Sequence, residues 1–276
     1  MPVKLSHIAF ISLLLLASPL VAGAETVLEK VRRTGELTAG ARTDAIPFGY
    51  IDSSNKKWTG YAVDLMGLIQ KRLEAEYKKP IKLNLVRTTI DERFNKVRDR
   101  SLDLACGAAT ITEERLQQVD FSIPYFITGS QFLIRIDEVS NFNIDGTLKN
   151  VKIAYIPGTT TDLIIRQIYP FADWRRVNNR ESGVEKLEKG EVAAVASDGI
   201  LLIGEIVKQG SAPRDFALTP QQPMTTELYG CALPKNDPEW KKFVDQTIAS
   251  EENRLLQKQW FNVKESSFPY RILTAP

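Results

Sequence analysis

DLACGAATITEERLQQVDFSIPY, residues Asp103–Tyr125, passes from an apolar strand through a small-residue turn into a capped helix. Leu102 to Cys106 is the strand and Gly107 ends it; the residues that follow are small or hydroxyl-bearing up to Thr112, the expected N-cap. Glu113 and Glu114 suit the first helical turn, where the backbone dipole favours negative charge. Arg115 does not complete a capping box, because that position needs an acceptor and a guanidinium offers only donors. Two readings are open for it. One is a surface ion pair with Glu113 or Asp120; the other is an anchor for a bound carboxylate, beside exposed N–H groups and the Thr110 hydroxyl.

On either side of this stretch the chain alternates strands and helices. Glu36–Gly40 reads as a strand delivering Arg42 to a loop, Tyr61–Tyr77 as a helix stopped by Lys78-Lys79-Pro80, and Ile81–Val86 as a second strand. Thr88 to Asp91 then leads into a helix carrying Arg93, Phe94 and Val97. Such alternation predicts an α/β fold with parallel strands, whose ligands bind beyond the carboxyl ends of the strands. Arg42, Arg93 and Arg115 all fall there.

Downstream, Gly129–Ile136 and Val151–Ile156 are expected strands. Pro157 to Asp162 is a hydroxyl-rich turn opening a helix with Leu163, Ile164 and Ile168 facing inward. Arg180 to Gly183 precedes a short helix. Val192–Ala196 is an apolar strand ending in Ser197-Asp198, where Asp198 is a candidate for holding an ammonium group or, more simply, for capping the next helix. Tyr229–Pro234 is the last strand, and Asp237-Pro238 opens a long helix running toward Trp260.

Composition narrows the chemistry. Lys4, the apolar run Ile8–Val21 and Ala22-Gly23-Ala24 form a signal peptide over residues 1–24, so the protein is expected to be exported and, in a bacterium, periplasmic. No cysteine follows the run to take a lipid anchor. The remaining 252 residues carry a formal charge of +1, down from +2 with Lys4, which gives no reason to expect nucleic acid or an anionic membrane as partner. The only histidine, His7, lies in the removed segment, so histidine-based triads, metal sites and proton shuttles are excluded from the mature chain; no cofactor or metal is expected. Cys106 and Cys231, an even count in an oxidising compartment and each beside strand-like residues, favour one disulfide over two buried thiols.

Taken together, Gly35-Glu36-Leu37, Pro47-Phe48-x-Tyr50, Gly60-Tyr61-x-x-Asp64-Leu65, Thr110-Ile111-Thr112-x-x-Arg115, Val119-Asp120-Phe121-Ser122-x-Pro124-Tyr125, Gly158-Thr159-Thr160 and Ser197-Asp198 resemble the family 3 extracellular solute-binding proteins. The resemblance spans nearly all of the mature chain and is strongest toward the glutamate/aspartate-binding branch, through Cys106-Gly107, Gly158-Thr159-Thr160 and Tyr229-Gly230-Cys231-Ala232-Leu233. It implies a type II periplasmic-binding-protein fold of two lobes: residues 25–124 and 230–276 in lobe one, 130–224 in lobe two, and hinge crossings at 125–129 and 225–229. It also implies a monomeric receptor that closes around L-glutamate or L-aspartate, with glutamine and asparagine as further candidates, and delivers it to the membrane permease of an ABC importer.

By the same resemblance Arg115, Thr110 and the Ala108 backbone would hold the α-carboxylate and part of the α-amine. Thr160 and Asp198 would reach across from lobe two, and Arg42, Arg93 and Arg180 would take the distal carboxylate. Ile90 and Ala108 depart from that branch, each standing where a hydroxyl side chain would add a donor. A rival reading is a periplasmic dehydratase of cyclohexadienyl or arogenate type, which shares the fold; it needs a general acid where this chain has arginines, poor proton donors at neutral pH.

Overall fold

A computed structural model describes residues 25–261; the signal peptide expected over residues 1–24 lies outside the described residues, as do residues 262–276. After α1 (Val27–Thr34) come β1 (Glu36–Ala41), a small antiparallel ribbon of β2 (Asp44–Ala45), β3 (Gly49–Ile51) and β4 (Trp58–Thr59), then α2 (Tyr61–Tyr77) and β5 (Lys82–Arg87). They are followed by α3 (Glu92–Arg98), β6 (Leu104–Ala105), α4 (Glu113–Gln118), β7 (Asp120–Phe121) and β8 (Phe126–Thr128). Next are β9 (Ser130–Arg135), β10 (Lys152–Tyr155), α5 (Thr160–Ile168), β11 (Asp173–Arg176), α6 (Arg180–Glu188), β12 (Ala194–Asp198), α7 (Gly199–Lys208) and β13 (Phe216–Thr219). The chain returns through β14 (Glu227–Tyr229) to β15 (Ala232–Leu233), α8 (Pro238–Ile248) and α9 (Glu251–Phe261).

Two five-stranded sheets result, ordered β5-β1-β6-β15-β7 and β11-β10-β12-β9-β13. Each has three strands paired in parallel, a fourth (β15 or β9) running antiparallel to them, and an edge strand (β7 or β13) paired antiparallel to that fourth; helices cover its faces. Between them the outgoing β8 and the returning β14 pair antiparallel, Phe126 opposite Tyr229 and Thr128 opposite Glu227. The halves are in contact beyond this ribbon. Ile200 and Leu201 of α7 join the core under the first sheet, Ile90 packs against that of the second, and Gly204 lies so near the Ile46 carbonyl that a Cβ would sit 2.3 Å from its oxygen.

The opening stretch folds because both its ends are pinned. Asp103 is buried and accepts from Lys30 Nζ (2.7 Å) and the Thr38 N–H (2.8 Å), which compensates the charge at the strand's start. Cys106 and Cys231, each one residue beyond the neighbouring antiparallel strands β6 and β15, form the disulfide; joining residues 125 apart in sequence, it stabilises the fold by about 5 kcal/mol in the chain-entropy picture. Gly107 turns at φ +149°, open to glycine, and its N–H donates to the Tyr125 hydroxyl (3.0 Å), which donates back to the Gly107 carbonyl.

Three local expectations are corrected. Leu163, Ile164 and Ile168 are exposed, and α5 instead turns Thr160, Thr161 and Ile165 inward. Hydrophobicity alone picked the wrong face, because the buried face of this helix carries hydroxyls whose bonds are satisfied by buried partners. Arg180 to Gly183 do not precede α6 but form its first turn, capped by Asn179. The long C-terminal helix is two helices: Ser250 breaks it, donating to the Thr247 carbonyl and accepting from the Asn253 N–H as a new N-cap, while the buried Asn253 side chain bonds the Ile248 carbonyl and the Tyr61 hydroxyl.

Candidate functional site

Strand ends and helix starts of both sheets converge on a small cavity of about 20 Å³ lined by Arg42, Ile90, Arg93, Ala108, Thr110, Arg115, Thr159, Thr160, Thr161, Arg180, Ser197, Asp198 and Leu201. All eight residues singled out from the sequence are among them. From the first sheet, β1 delivers Arg42, the start of α3 delivers Arg93, and the turn after β6 delivers Ala108 and Thr110. Thr112 caps α4 by accepting from the Arg115 N–H, which sets the arginine one turn inside the helix and over the cavity. From the second sheet come Thr160 at the start of α5, Arg180 at the start of α6 and Asp198 at the end of β12.

The arginines are held from behind. Arg42 makes a bidentate pair with Asp44 (2.8 and 2.6 Å), and Arg115 donates to the Thr110 carbonyl (2.8 Å). Arg180 donates to Ser197 Oγ (2.8 Å) and, from the other half of the molecule, to the Asp44 carbonyl (3.1 Å). Arg93 donates only to the Ala108 carbonyl (2.8 Å), and its buried Nε has no partner among the described residues. Arg93 and Arg115 both lie over the Phe94 ring, 4.7 and 4.9 Å from its centroid.

Burial lowers the pKa of Arg93, Arg115 and Arg180, and Arg93 is pushed further by Arg42 and Arg115, Arg180 by Arg42. Burial would raise the Asp44 carboxyl, but Arg42, with Arg180 and Arg93 behind it, holds it well below the usual carboxylate range.

Asp198 does not cap α7; its carboxylate accepts instead from Thr161 Oγ1 (3.2 Å) and the Tyr229 hydroxyl. Burial and the neighbouring charge of Glu227 push it up to about 7. The sequence reading passed over Glu227 and Tyr229. They stand two apart on β14, hence on one strand face, and that spacing of an acid and a tyrosine was the available signal. It was obscured because residues 225–229 were expected only as a crossing and Tyr229 as the start of a strand Tyr229–Pro234; Tyr229 instead ends β14, and the strand that follows is Ala232–Leu233.

The arrangement suits a zwitterion carrying an extra negative charge. Four guanidiniums line the cavity against the Asp198 carboxylate; Asp44 and Glu227 behind the wall add two more carboxylates, so one positive charge stays uncompensated.

The family model for bacterial extracellular solute-binding proteins, family 3, matches residues 37–263. The chain is similar to the L-glutamate/L-aspartate-binding protein of Pseudomonas aeruginosa, 33% identical over 263 residues that cover 90% of this chain and 84% of that one. It is 28% identical over 245 residues to the glutamate/aspartate import solute-binding protein of Escherichia coli, covering 87% and 79%. Among solved structures, a P235GK mutant of ArgBP from T. maritima superposes with a TM-score of 0.74 at 25% identity, over 86% of this chain and 99% of that one; ArgBP is also solved in an arginine-bound form.

Proposed function

The chain belongs to the bacterial extracellular solute-binding proteins of family 3, and from that premise we propose that it is a periplasmic receptor that closes around L-glutamate or L-aspartate and delivers it to the permease of an ABC importer. The observation that carries the acidic reading is Arg93: a buried guanidinium with an unpartnered Nε, between two other arginines and with no carboxylate paired to it among the described residues. A buried charge left so is costly, and a ligand carboxylate removes the cost. In this reading Arg115 takes the α-carboxylate, Asp198 the ammonium, and Arg42, Arg93 and Arg180 the side-chain carboxylate.

Similarity to both glutamate/aspartate receptors and ArgBP leaves the side chain open; charge supports an acidic one. A dicarboxylic amino acid, net −1, cancels the pocket's excess, whereas arginine would add a cation to four guanidiniums. Within the described residues the lobes are 25–124 with 230–261, and 130–224. The paired β8 and β14 are the hinge within the crossings 125–129 and 225–229, so closure brings the Asp198 side against the Arg115 side. The dehydratase alternative would have to use Asp198, the one carboxyl among the lining residues, as its general acid, whereas the receptor reading needs that carboxylate ionised against the ligand ammonium.

Arg42→Gln tests the side-chain assignment. By calorimetry it should weaken L-glutamate and L-aspartate by about tenfold or more while changing L-glutamine by about threefold or less. Equal losses for all three would remove Arg42 from the reading of the side chain.

Binding should also depend on pH through Asp198, which faces Glu227, Tyr229, Arg180 and Arg115. Its carboxyl must be ionised to hold an ammonium, and without ligand it is pushed up to about 7. Affinity should therefore fall as pH drops below about 7, approaching tenfold per unit. The same shift has the opposite sign for the ligand-free fold: the native carboxyl keeps its proton over a range where the unfolded one has lost it, so stability declines as pH rises from about 4 toward 7. Calorimetry and thermal melts between pH 5 and pH 8 check both signs, and a flat affinity profile would refute the Asp198 assignment.

A further inference from the structure

Glu227 is not part of the cavity lining, yet it controls two of the hydroxyls that are. It lies on β14 and is 2% exposed. Its Oε2 accepts from Thr110 Oγ1 (2.7 Å), which follows the first sheet's β6, and from Thr160 Oγ1 (2.5 Å), at the start of the second sheet's α5. Its Oε1 accepts from Ser130 Oγ and Thr225 Oγ1, both at 3.1 Å. A hydroxyl has one proton to give. Thr110 and Thr160 give theirs to Glu227, so each turns only lone pairs toward the cavity.

We propose that Glu227 is a positioning residue that fixes Thr110 and Thr160 as hydrogen-bond acceptors and thereby makes their end of the cavity, together with Asp198, a cage for a protonated amine. A ligand carboxylate placed there would meet acceptors and a negative charge, and is directed instead to Arg115, Arg42 and Arg93. The two threonines come from opposite halves, so the acceptor pair is assembled only with the cleft closed. The receptor then separates an amino acid from its deaminated counterpart through a residue that touches neither.

The choice of ligands rests on the acidic reading, and the comparison is built to separate the two. L-glutamate and glutarate, which has the same two carboxylates but no amine, are titrated into the mature wild-type protein, Glu227→Gln, which removes the charge but keeps an acceptor, and Glu227→Met, which removes both. Glutarate is read by competition where it is weak. Affinity for L-glutamate should fall about tenfold in Glu227→Gln and about a hundredfold in Glu227→Met. Glutarate should bind each variant as well as wild type or better, since removing a negative charge favours a dianion. Equal weakening of both ligands, as a merely structural role would give, overturns the proposal, and so does an unchanged affinity for L-glutamate. If Glu227→Met does not fold, Glu227→Gln decides. Should wild type take L-glutamine or L-arginine in place of L-glutamate, the acidic reading fails. The same comparison with that amino acid and its deaminated analogue still decides the role of Glu227.

Discussion

Arg115→Ala should abolish binding of every amino acid, acidic or not, raising Kd by roughly 10³-fold or more. The guanidinium is fixed before ligand arrives. Its backbone N–H is tied to Thr112, one Nη to the Thr110 carbonyl, and its plane lies over Phe94, so a bidentate carboxylate bond forms with little ordering cost. In the proposed reading its remaining donors take the α-carboxylate, which all α-amino acids share. The loss should therefore be uniform across side chains, in contrast to Arg42→Gln. Calorimetry, or the fluorescence of Trp58, Trp174, Trp240 and Trp260, reads it, and retained affinity would end the assignment.

Arg93→Met should move stability and binding in opposite directions. Removing an unpaired buried charge, while keeping an unbranched apolar side chain in the same space, should raise the stability of the ligand-free protein by about 1–3 kcal/mol, or about 2–8 °C in Tm. Affinity for L-glutamate should fall by roughly a hundredfold or more. The opposed signs follow from one arrangement: the structure holds Arg93 against Arg42 and Arg115 with no carboxylate paired to it among the described residues, and in the proposed reading ligand supplies one. A ligand-free protein destabilised by the substitution would show that Arg93 serves the fold through its bond to Ala108.

Much of this site was legible in the sequence because its residues sit where topology puts them. Strand-to-helix turns after β1, β5 and β6 open at the carboxyl ends of one sheet's parallel strands, so alternation alone groups Arg42, Arg93 and Thr110; that Thr160 and Asp198, after β10 and β12 of the other sheet, would face them was implied only by the family resemblance. What stayed hidden depends on contacts that local pattern does not encode. The face of α5 was misread because its inward positions are threonines, apolar only in the sense that their hydroxyls are satisfied by Glu227, Ser130 and Asp198. Glu227 itself lies 117 residues from Thr110 in sequence and 67 from Thr160, so of the four hydroxyls it gathers only that of Thr225 is near it in the chain. The break between α8 and α9 turned on Ser250 and Asn253, ordinary helix residues until tertiary packing made one a cap and the other a partner of Tyr61.

The central claim is that the cavity's uncompensated positive charge selects a ligand of net charge −1. A calorimetric panel of the natural amino acids on ligand-stripped protein at pH 7.5 tests it most directly. L-glutamate or L-aspartate should bind at least about a hundredfold more tightly than L-glutamine, L-asparagine or L-arginine. Binding of L-arginine or L-glutamine as tight as that of the acidic pair would contradict the account.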